Sequence, residues 1–475
     1  MVLDDNRQFI EALEKSGDVV RIKDVVDWDL EVGAIVRRTS EMRKQAPFFE
    51  KIKDYPEGYR ILGEPLGTYR RIAVALGLPA DTPYKEIRTE YERRLANPIK
   101  PVVVQDGPCK ENVVKGDDVD LFQFPAPMVH DGDGGRYIGT WHAIICRDPT
   151  RDWTNWGMYR LMIVNPRHVT GLCEPYTHQY DIFNRVYASN HQNMPVAIAI
   201  GMDPICSMVS GSRSFGRRSE ADLAGAVRQK PVELVKCETN DLFVPAHAEI
   251  VLEGEMLLGK TMVEGPFGEY TGYRSDPRDL RVVYRINTIT YRNHPILTTS
   301  CMGIPVTSDT VVRSMDYELL IKRILRMNGI PFTDVHVPAE SATMMAIVGV
   351  KPAYRGIVNQ VGYAFAAAKM GAYKVIVVED DVDVFNLSEV LHALASKCHP
   401  KRGIRLYDEA IDPSALTPFL SPEERKWHMG AKAVFDCTWP VEWEGAVPGR
   451  VSFNEMYPQE IRERVIRNWA HYGFD

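Results

Sequence analysis

Between about residues 120 and 300 the chain breaks into short apolar runs punctuated by glycine and proline. They are TWHAIIC (140–146), MYRLMIV (158–164), PVAIAIG (195–201), VELVKCET (232–239), AEIVLEG (248–254), LRVVYRINTITYR (280–292) and PILTTS (295–300). These runs are rich in β-branched residues and several alternate with period two, the pattern of strands that bury one face. So many strands in succession predict a barrel or sandwich at the centre of the molecule.

The flanks follow other rules. Phe9, Ile10 and Leu13 fall on one face of a helix over residues 7–18, which Gly17 stops. Leu30–Met42 and Pro83–Leu95 read as further helices, and Arg60–Leu62 and Val102–Val104 as short strands, so the N-terminal region is a small α+β unit. After a helix over Val311–Met327, KVIVVEDDVDVF (374–385) has the continuous apolar core of a strand buried on both faces, and LSEVLHALASK (387–397) follows it as a helix. A loop, CTWPVEWEGAVPG (437–449), leads to a terminal helix over Tyr457–Tyr472. The expected organisation is an α+β domain over 1–118, a strand-rich domain over 119–310, a linker helix over 311–328 and an α/β domain over 329–475.

With 475 residues, 45% of them hydrophobic, the chain is long enough for two or three packed domains. A formal charge of −7 without a basic run gives no general attraction for nucleic acid. No window approaches the roughly 20 apolar residues of a membrane span. The charged residues Asp4, Asp5, Arg7, Glu11 and Lys15 rule out a secretory h-region, so a cytoplasmic protein is expected. Eight cysteines are scattered without a CxxC pair, which reads as reduced packing residues, with only Cys173 expected near a site.

Four segments carry candidate chemistry. VEGPFGEYTGY (263–273) puts Glu264 and Glu269 around Gly265, Pro266 and Gly268, a stiff loop with two acids. WTNWGMYR (153–160) has Asn155 and Arg160 straddling Gly157 at the start of a strand. LCEPYTHQYD (172–181) contributes His178, and GSRSFGRRSE (211–220) ends a Ser- and Arg-rich turn, suited to a phosphate, on Glu220. Asn, His and Glu are donors for a borderline-to-hard divalent ion. Taken singly, each reads as something ordinary: loop acids, a surface arginine, a hydrogen-bonded histidine, a helix-capping acid behind Ser219.

The whole chain resembles the UbiD-like decarboxylases. The resemblance is carried by FIEALEKSGDVVRI at the N-terminus, MPVAIAIGMDP (194–204), LAGAVRQKPVELVKCETNDLFVPAHAEIVLEGE (223–255), EGPFGEYTGY (264–273) and VVEDDVDVF (377–385). It implies an N-terminal α+β unit, a flavin-reductase-like split β-barrel and a C-terminal α/β oligomerisation domain. It also implies decarboxylation, reversible in principle, with prenylated flavin mononucleotide, a cofactor that joins covalently to the substrate and takes up the electrons when CO₂ leaves.

By the same matching Arg160, Glu264 and Glu269 form the catalytic network. Glu269 is the proton donor, kept neutral in a dry site, and Glu264 is the ionised partner that orients Arg160. Asn155, His178 and Glu220 match the ligands of a divalent ion, usually Mn²⁺, that holds the flavin phosphate, commonly with K⁺. Flavin contacts are implied at Met158, Tyr159, Arg160, Leu172, Cys173, Glu174, Thr177 and His178, and at Lys351 from the C-terminal side. Partners are a carboxylic acid, a flavin prenyltransferase as cofactor source, and further copies of the chain as a dimer or hexamer. CEPYTHQYDIF and SKCHP (396–400) depart from the family's usual patterns and leave the substrate open. Aromatic acids lead; phthaloyl-type coenzyme A thioesters, hydroxybenzoates, heteroaromatic acids and cinnamate-like acids all fit.

Substrate-pocket residues are expected from 300–307, 325–335 and Cys437–Trp443, with a closing hinge near Ile304–Val311. Two rival readings are an accessory subunit of a carboxylase complex and a plain flavin reductase; the intact Arg–Glu–Glu set counts against the first. The absence of a GxGxxG nicotinamide fingerprint counts against the second.

Overall fold

The computed structural model describes residues 2–474 except 176, 213–217, 275–276, 352–353, 369, 412–415 and 444. The Ser- and Arg-rich turn at 213–217 lies outside the described residues.

A nine-stranded sheet forms the centre. Its order is Tyr137–Gly139, Leu161–Asn165, His168–Gly171, Asp279–Tyr291, Ile250–Glu264, Met194–Ile200, His142–Asp148 and Trp153–Gly157, with Asn112–Lys115 added beside Asp279–Tyr291. The pairings are antiparallel, and the sheet curls into a half-barrel. Its two longest strands pair from Ile250↔Tyr291 to Glu264↔Asp279. Glu264 therefore stands at the very end of a continuous strand rather than on a free loop.

The sheet is buried on both faces. Ala197 and Ala199 pack into one core with Phe9, Leu13 and Met315, whereas Val196, Ile198 and Ile200 pack into a second with Phe124, Tyr137 and Tyr284. Ala143 and Ile145 divide from Ile144 and Cys146 in the same way. A strand clamped between two cores needs apolar residues at every position, which is why these segments read as runs.

Four other segments sort differently from the sequence expectation. Ile296–Thr299 joins the N-terminal sheet, pairing in parallel with Arg60–Gly63. Val102–Val104 pairs with Glu233–Lys236, and Asn112–Lys115 joins the central sheet, so sheet membership crosses the 118/119 boundary. MYRLMIV is not one strand: Trp153–Gly157 and Leu161–Asn165 are separate, and Met158–Arg160 link them. Asn155 is thus inside one strand and Arg160 immediately precedes the next.

The C-terminal sheet runs Val335–His336, Met345–Val350, Lys374–Glu379, Met429–Cys437, Ile404–Ile411. Val375 and Val377 enter one core, Ile376 and Val378 another. The strand stops at Glu379, so the second half of KVIVVEDDVDVF is turn.

One helix, Ser308–Met327, ties the parts together, beginning three residues before its expected start with a capping box between Thr307 and Thr310. Buried Glu64 accepts from Ser308 N at 2.6 Å and from Ser300 Oγ at 3.0 Å. Further along, Glu318 accepts from the Val337 amide at 3.0 Å, contacts His336 Nδ1 at 2.7 Å and pairs with Arg88 at 3.4 Å. Residues 306–311 are consequently buried and pinned, not a free hinge.

In the central sheet His142, at the start of the strand His142–Asp148, has no exposure, and burial holds its pKa down to about 3. The unfolded chain protonates it near 6.5, so between 6.5 and about 3 the unfolded state holds the extra proton and stability falls as pH drops. The expected slope from this residue is on the order of 1 kcal/mol per pH unit. His142→Phe is expected to flatten the loss of melting temperature between pH 6.5 and 4.5. An acid slope equal to that of the unmutated protein would show that other groups carry it.

Candidate active site

Arg160 is the fixed point. Its Nε donates to Glu264 Oε1 and its Nη2 to Glu264 Oε2, both at 2.8 Å, a two-pronged pairing. Its Nη1 donates to Glu269 Oε1. All three residues are buried, Glu264 completely. Tyr137 Oη adds a hydrogen bond to Glu264 Oε1 at 2.7 Å, and Phe267 lies under the guanidinium at 5.7 Å from its ring centre.

The loop between the glutamates is braced from below. Gly265 has φ of +78°, a conformation that costs a side-chain-bearing residue but not glycine. A Cβ on Gly268 would meet the His130 ring at 2.5 Å, so only glycine lets the loop close on it. His130 Nδ1 contacts Asp133 Oδ2 at 2.9 Å, its Nε2 contacts Met302 O at 2.9 Å, and Gly268 N donates to Asp133 Oδ1 at 3.2 Å. Glu269 N donates to Tyr273 O at 3.1 Å.

A cavity of about 200 Å³ opens nearby, its lining including Asn155, Met158, Tyr159, Glu174, Thr177, His178 and Glu220. Asn155 Oδ1 and His178 Nδ1 are 3.1 Å apart, with His178 edge-on to Trp153. Glu220 opens the helix Glu220–Arg228 behind its cap Ser219. Its Oε2 accepts from Trp156 N at 3.0 Å, and burial pushes its pKa up to about 8.

Among the described residues no three His, Cys, Asp or Glu side chains cluster as metal ligands, so a metal here depends on the Asn155 oxygen. Glu220 forms no ion pair among the described residues, and a divalent ion would restore its charge at neutral pH. Amide oxygen, imidazole nitrogen and carboxylate oxygen suit such an ion. The residues fit the group.

Other expected contacts fall elsewhere. Leu172 and Cys173 are half-buried against the central core and do not line the cavity. Burial lifts the Cys173 thiol to about 12, and Cys146 is a second thiol near the site, 3.9 Å from Asn155 Nδ2. Lys351 is exposed after the strand Met345–Val350, outside the lining. Thr438–Trp443, with Cys398 and Arg402, instead surround a separate cavity of about 520 Å³ in the C-terminal domain. Segments 300–307 and 325–335 contribute nothing to the lining. Both glutamates contact Arg160.

Sequence reasoning missed Tyr137, distant in the chain and without local signal. It also missed Asp309, Arg313, Tyr317 and Leu320, which line the cavity. Their spacing of four, four and three puts them on one helix face, a signal that was readable.

Three family models for 3-octaprenyl-4-hydroxybenzoate carboxy-lyase match in succession: the N-terminal domain over residues 10–91, the Rift-related domain over 100–305 and the C-terminal domain over 311–437. The chain is 32% identical to the pyrrole-2-carboxylic acid decarboxylase of Pseudomonas aeruginosa, covering 99% of this chain and 98% of the relative. The closed form of the vanillic acid decarboxylase of Sedimentibacter hydroxybenzoicus has the same fold, with TM-score 0.87, 28% identity and 99% of each chain covered. An evolved dimeric form of the UbiD-class enzyme HmfF from Pelotomaculum thermopropionicum, solved with prenylated FMN, gives TM-score 0.79 at 25% identity, covering 95% of this chain and 97% of that one. Likeness this continuous, in sequence and fold alike, puts the protein among the carboxy-lyases. The chain belongs to the UbiD family of decarboxylases. No helix among the described residues is long and apolar enough to cross a membrane.

Breaking a buried pair leaves its partner's charge uncompensated, which costs about 3–5 kcal/mol, whereas one hydrogen bond contributes about 1 kcal/mol. Glu264→Ala is therefore expected to lower the apparent melting temperature clearly more than Tyr137→Phe. Equal losses would mean that Arg160 is compensated by Glu269 alone.

Proposed function

We propose that this chain decarboxylates an aromatic or α,β-unsaturated carboxylic acid using prenylated FMN, reversibly in principle. The observation that carries the reading is the buried Arg160 shared by two carboxylates beside a cavity with a hard-donor ligand set. Asn155, His178 and Glu220 would hold Mn²⁺ or a similar ion against the flavin phosphate, with K⁺ alongside; Met158, Tyr159 and Thr177 would line the flavin. When bound, the flavin supplies the electron sink that an sp² carbon needs in order to lose CO₂.

The chain's own part follows from the geometry. Glu264 occupies the Nε/Nη2 edge of Arg160, so Nη1 is the donor that a substrate carboxylate competes for. A carboxylate arriving there displaces Glu269, whose charge then has no partner in a dry site. Desolvation favours its protonation. Glu269 holds that proton on its carboxyl oxygen and passes it to the carbon that loses CO₂; in carboxylation it removes one.

The pyrrole and vanillic acid relatives differ in ring chemistry, so family membership alone leaves the ring open. Homo-oligomer formation is supported by the last segment, where Ile466, Trp469 and Phe474 are exposed. The reading extends to a flavin prenyltransferase as the cofactor's source. An accessory-subunit role or a flavin reductase would predict bound flavin without CO₂ chemistry.

Anaerobic reconstitution with prenylated FMN should give release of CO₂, or exchange of ¹³CO₂, with an aromatic or acrylic acid. Bound flavin without exchange across both acid classes would refute the reading. Glu269→Gln is expected to keep the visible flavin absorbance and lose at least about a hundredfold in turnover, because an amide cannot donate the proton. Turnover near that of the unmutated enzyme would exclude Glu269 as donor. Glu220→Ala should lose flavin occupancy, and unchanged occupancy would return Glu220 to a helix-capping role.

A further inference from the structure

His130 faces two groups that accept hydrogen bonds and do not donate them. Its Nδ1 lies 2.9 Å from Asp133 Oδ2, and its Nε2 lies 2.9 Å from the main-chain oxygen of Met302. A neutral imidazole carries one N–H, so beside an ionised Asp133 one of these contacts would set lone pair against lone pair. Both are hydrogen bonds only when His130 and Asp133 together hold one proton more than a carboxylate and a neutral ring. Asp133 suits the anionic half of that unit. Its side chain has no exposure, Oδ2 also accepts from His130 N at 3.0 Å, and Oδ1 accepts from Gly268 N at 3.2 Å and pairs with Arg274 at 3.4 Å.

The pair stands between two segments of the active site. Gly268 immediately precedes Glu269, and a Cβ on Gly268 would fall 2.5 Å from the His130 ring. Gly134 N donates to Pro266 O at 2.8 Å, so the turn 130–134 grips the Glu269 loop at two main-chain points, Pro266 and Gly268. On the other side Met302 belongs to the stretch leading into the helix Ser308–Met327, where Arg37 donates to the carbonyls of Cys301 and Ile304. The other charged or titratable groups around the pair are Asp131 in the same turn, Arg274, and Tyr137 and Cys301 within electrostatic reach of Asp133. Phe267 lies against both the His130 ring and the Arg160 guanidinium.

We infer that His130 is a positioning residue for Glu269: the proton it shares with Asp133 supplies the Nε2–H that ties the turn, and with it the Glu269 loop, to Met302. Without that proton the remaining N–H stays on the charged acceptor, Asp133, and the tie to Met302 is lost. The loop is then released as pH rises. This rests on the reading of Glu269 as proton donor, which must stand in one place to deliver its proton.

Asn and Gln separate the two contacts, because an Asn amide stands where Nδ1 stood and a Gln amide where Nε2 stood. His130→Asn is the released state at every pH, and His130→Gln keeps the tie without a titrating ring. The ring is titrated by ¹⁵N-histidine NMR, its signal assigned by its loss in His130→Asn. Amide hydrogen exchange of residues 265–273 is followed over the same pH range and corrected for intrinsic rates. Exchange should quicken by about fivefold as the ring loses its proton, as for one hydrogen bond lost. His130→Asn should exchange fast throughout, and His130→Gln should not respond to pH. In holoenzyme reconstituted with prenylated FMN, His130→Asn should lower kcat by about tenfold or more with KM and flavin absorbance nearly unchanged, and His130→Gln should recover part of the loss. Loop exchange indifferent to the ring, or a kcat in His130→Asn equal to that of the unmutated enzyme, overturns the inference and leaves the decarboxylase reading standing. Loss of flavin absorbance in His130→Asn makes the residue merely structural and also overturns it. Absence of turnover with any acid removes the decarboxylase reading, and the catalytic role of His130 falls with it even where the loop follows the ring.

Discussion

A guanidinium with almost no exposure is tolerable only where carboxylates meet it at hydrogen-bond distance, and Arg160 imposes that condition on the architecture. Glu264 meets it because the strand Ile250–Glu264, paired with Asp279–Tyr291 through two register shifts, places its last residue against Arg160, just ahead of Leu161–Asn165. A slip of one residue would turn Glu264 to the opposite face. The bulges between Glu253 and Gly254, and between Met256 and Thr261, set the strand's bend and so the direction of its last residue. Phe267 and Tyr137 then close over the pair and exclude water, which strengthens each interaction inside.

The same charge problem recurs at the domain junctions. Glu64 caps the helix Ser308–Met327 from the N-terminal domain, and Glu318 ties its middle to Arg88 and His336. That helix places Asp309, Arg313 and Tyr317 along one wall of the cavity. These contacts fix the start and the middle of the helix, the stretch that carries Arg313. Glu269 differs: it meets Arg160 through Nη1, whereas Glu264 is held by both Nε and Nη2.

Glu220 shows how one residue can satisfy two readings. It stands in the first turn of a helix, where the dipole favours an acid, and it also turns its carboxylate toward the Trp156 amide in a buried wall. Capping alone does not require burial, and burial raises its pKa to about 8. Asn155 and His178 stand beside it in the same cavity lining.

Some of this was legible along the chain because its causes are local. The helix at Asn6–Lys15, the cap at Ser219, the doubly buried strand at Lys374–Glu379 and the stiff loop around Gly265 and Gly268 follow from spacing, capping and backbone freedom. Only the resemblance to a family singled out Arg160, Glu264 and Glu269, since each alone reads as an ordinary charge. The fold decided what depends on partners far apart in sequence: Ile296–Thr299 joining the N-terminal sheet, Tyr137 on Glu264 across 127 residues, Cys146 beside Asn155, and the exclusion of Lys351 from the cavity. Periodicity states which face of an element is buried. It carries no record of which other element covers that face, and burial against a particular neighbour is what turns a common arginine into a shared charge.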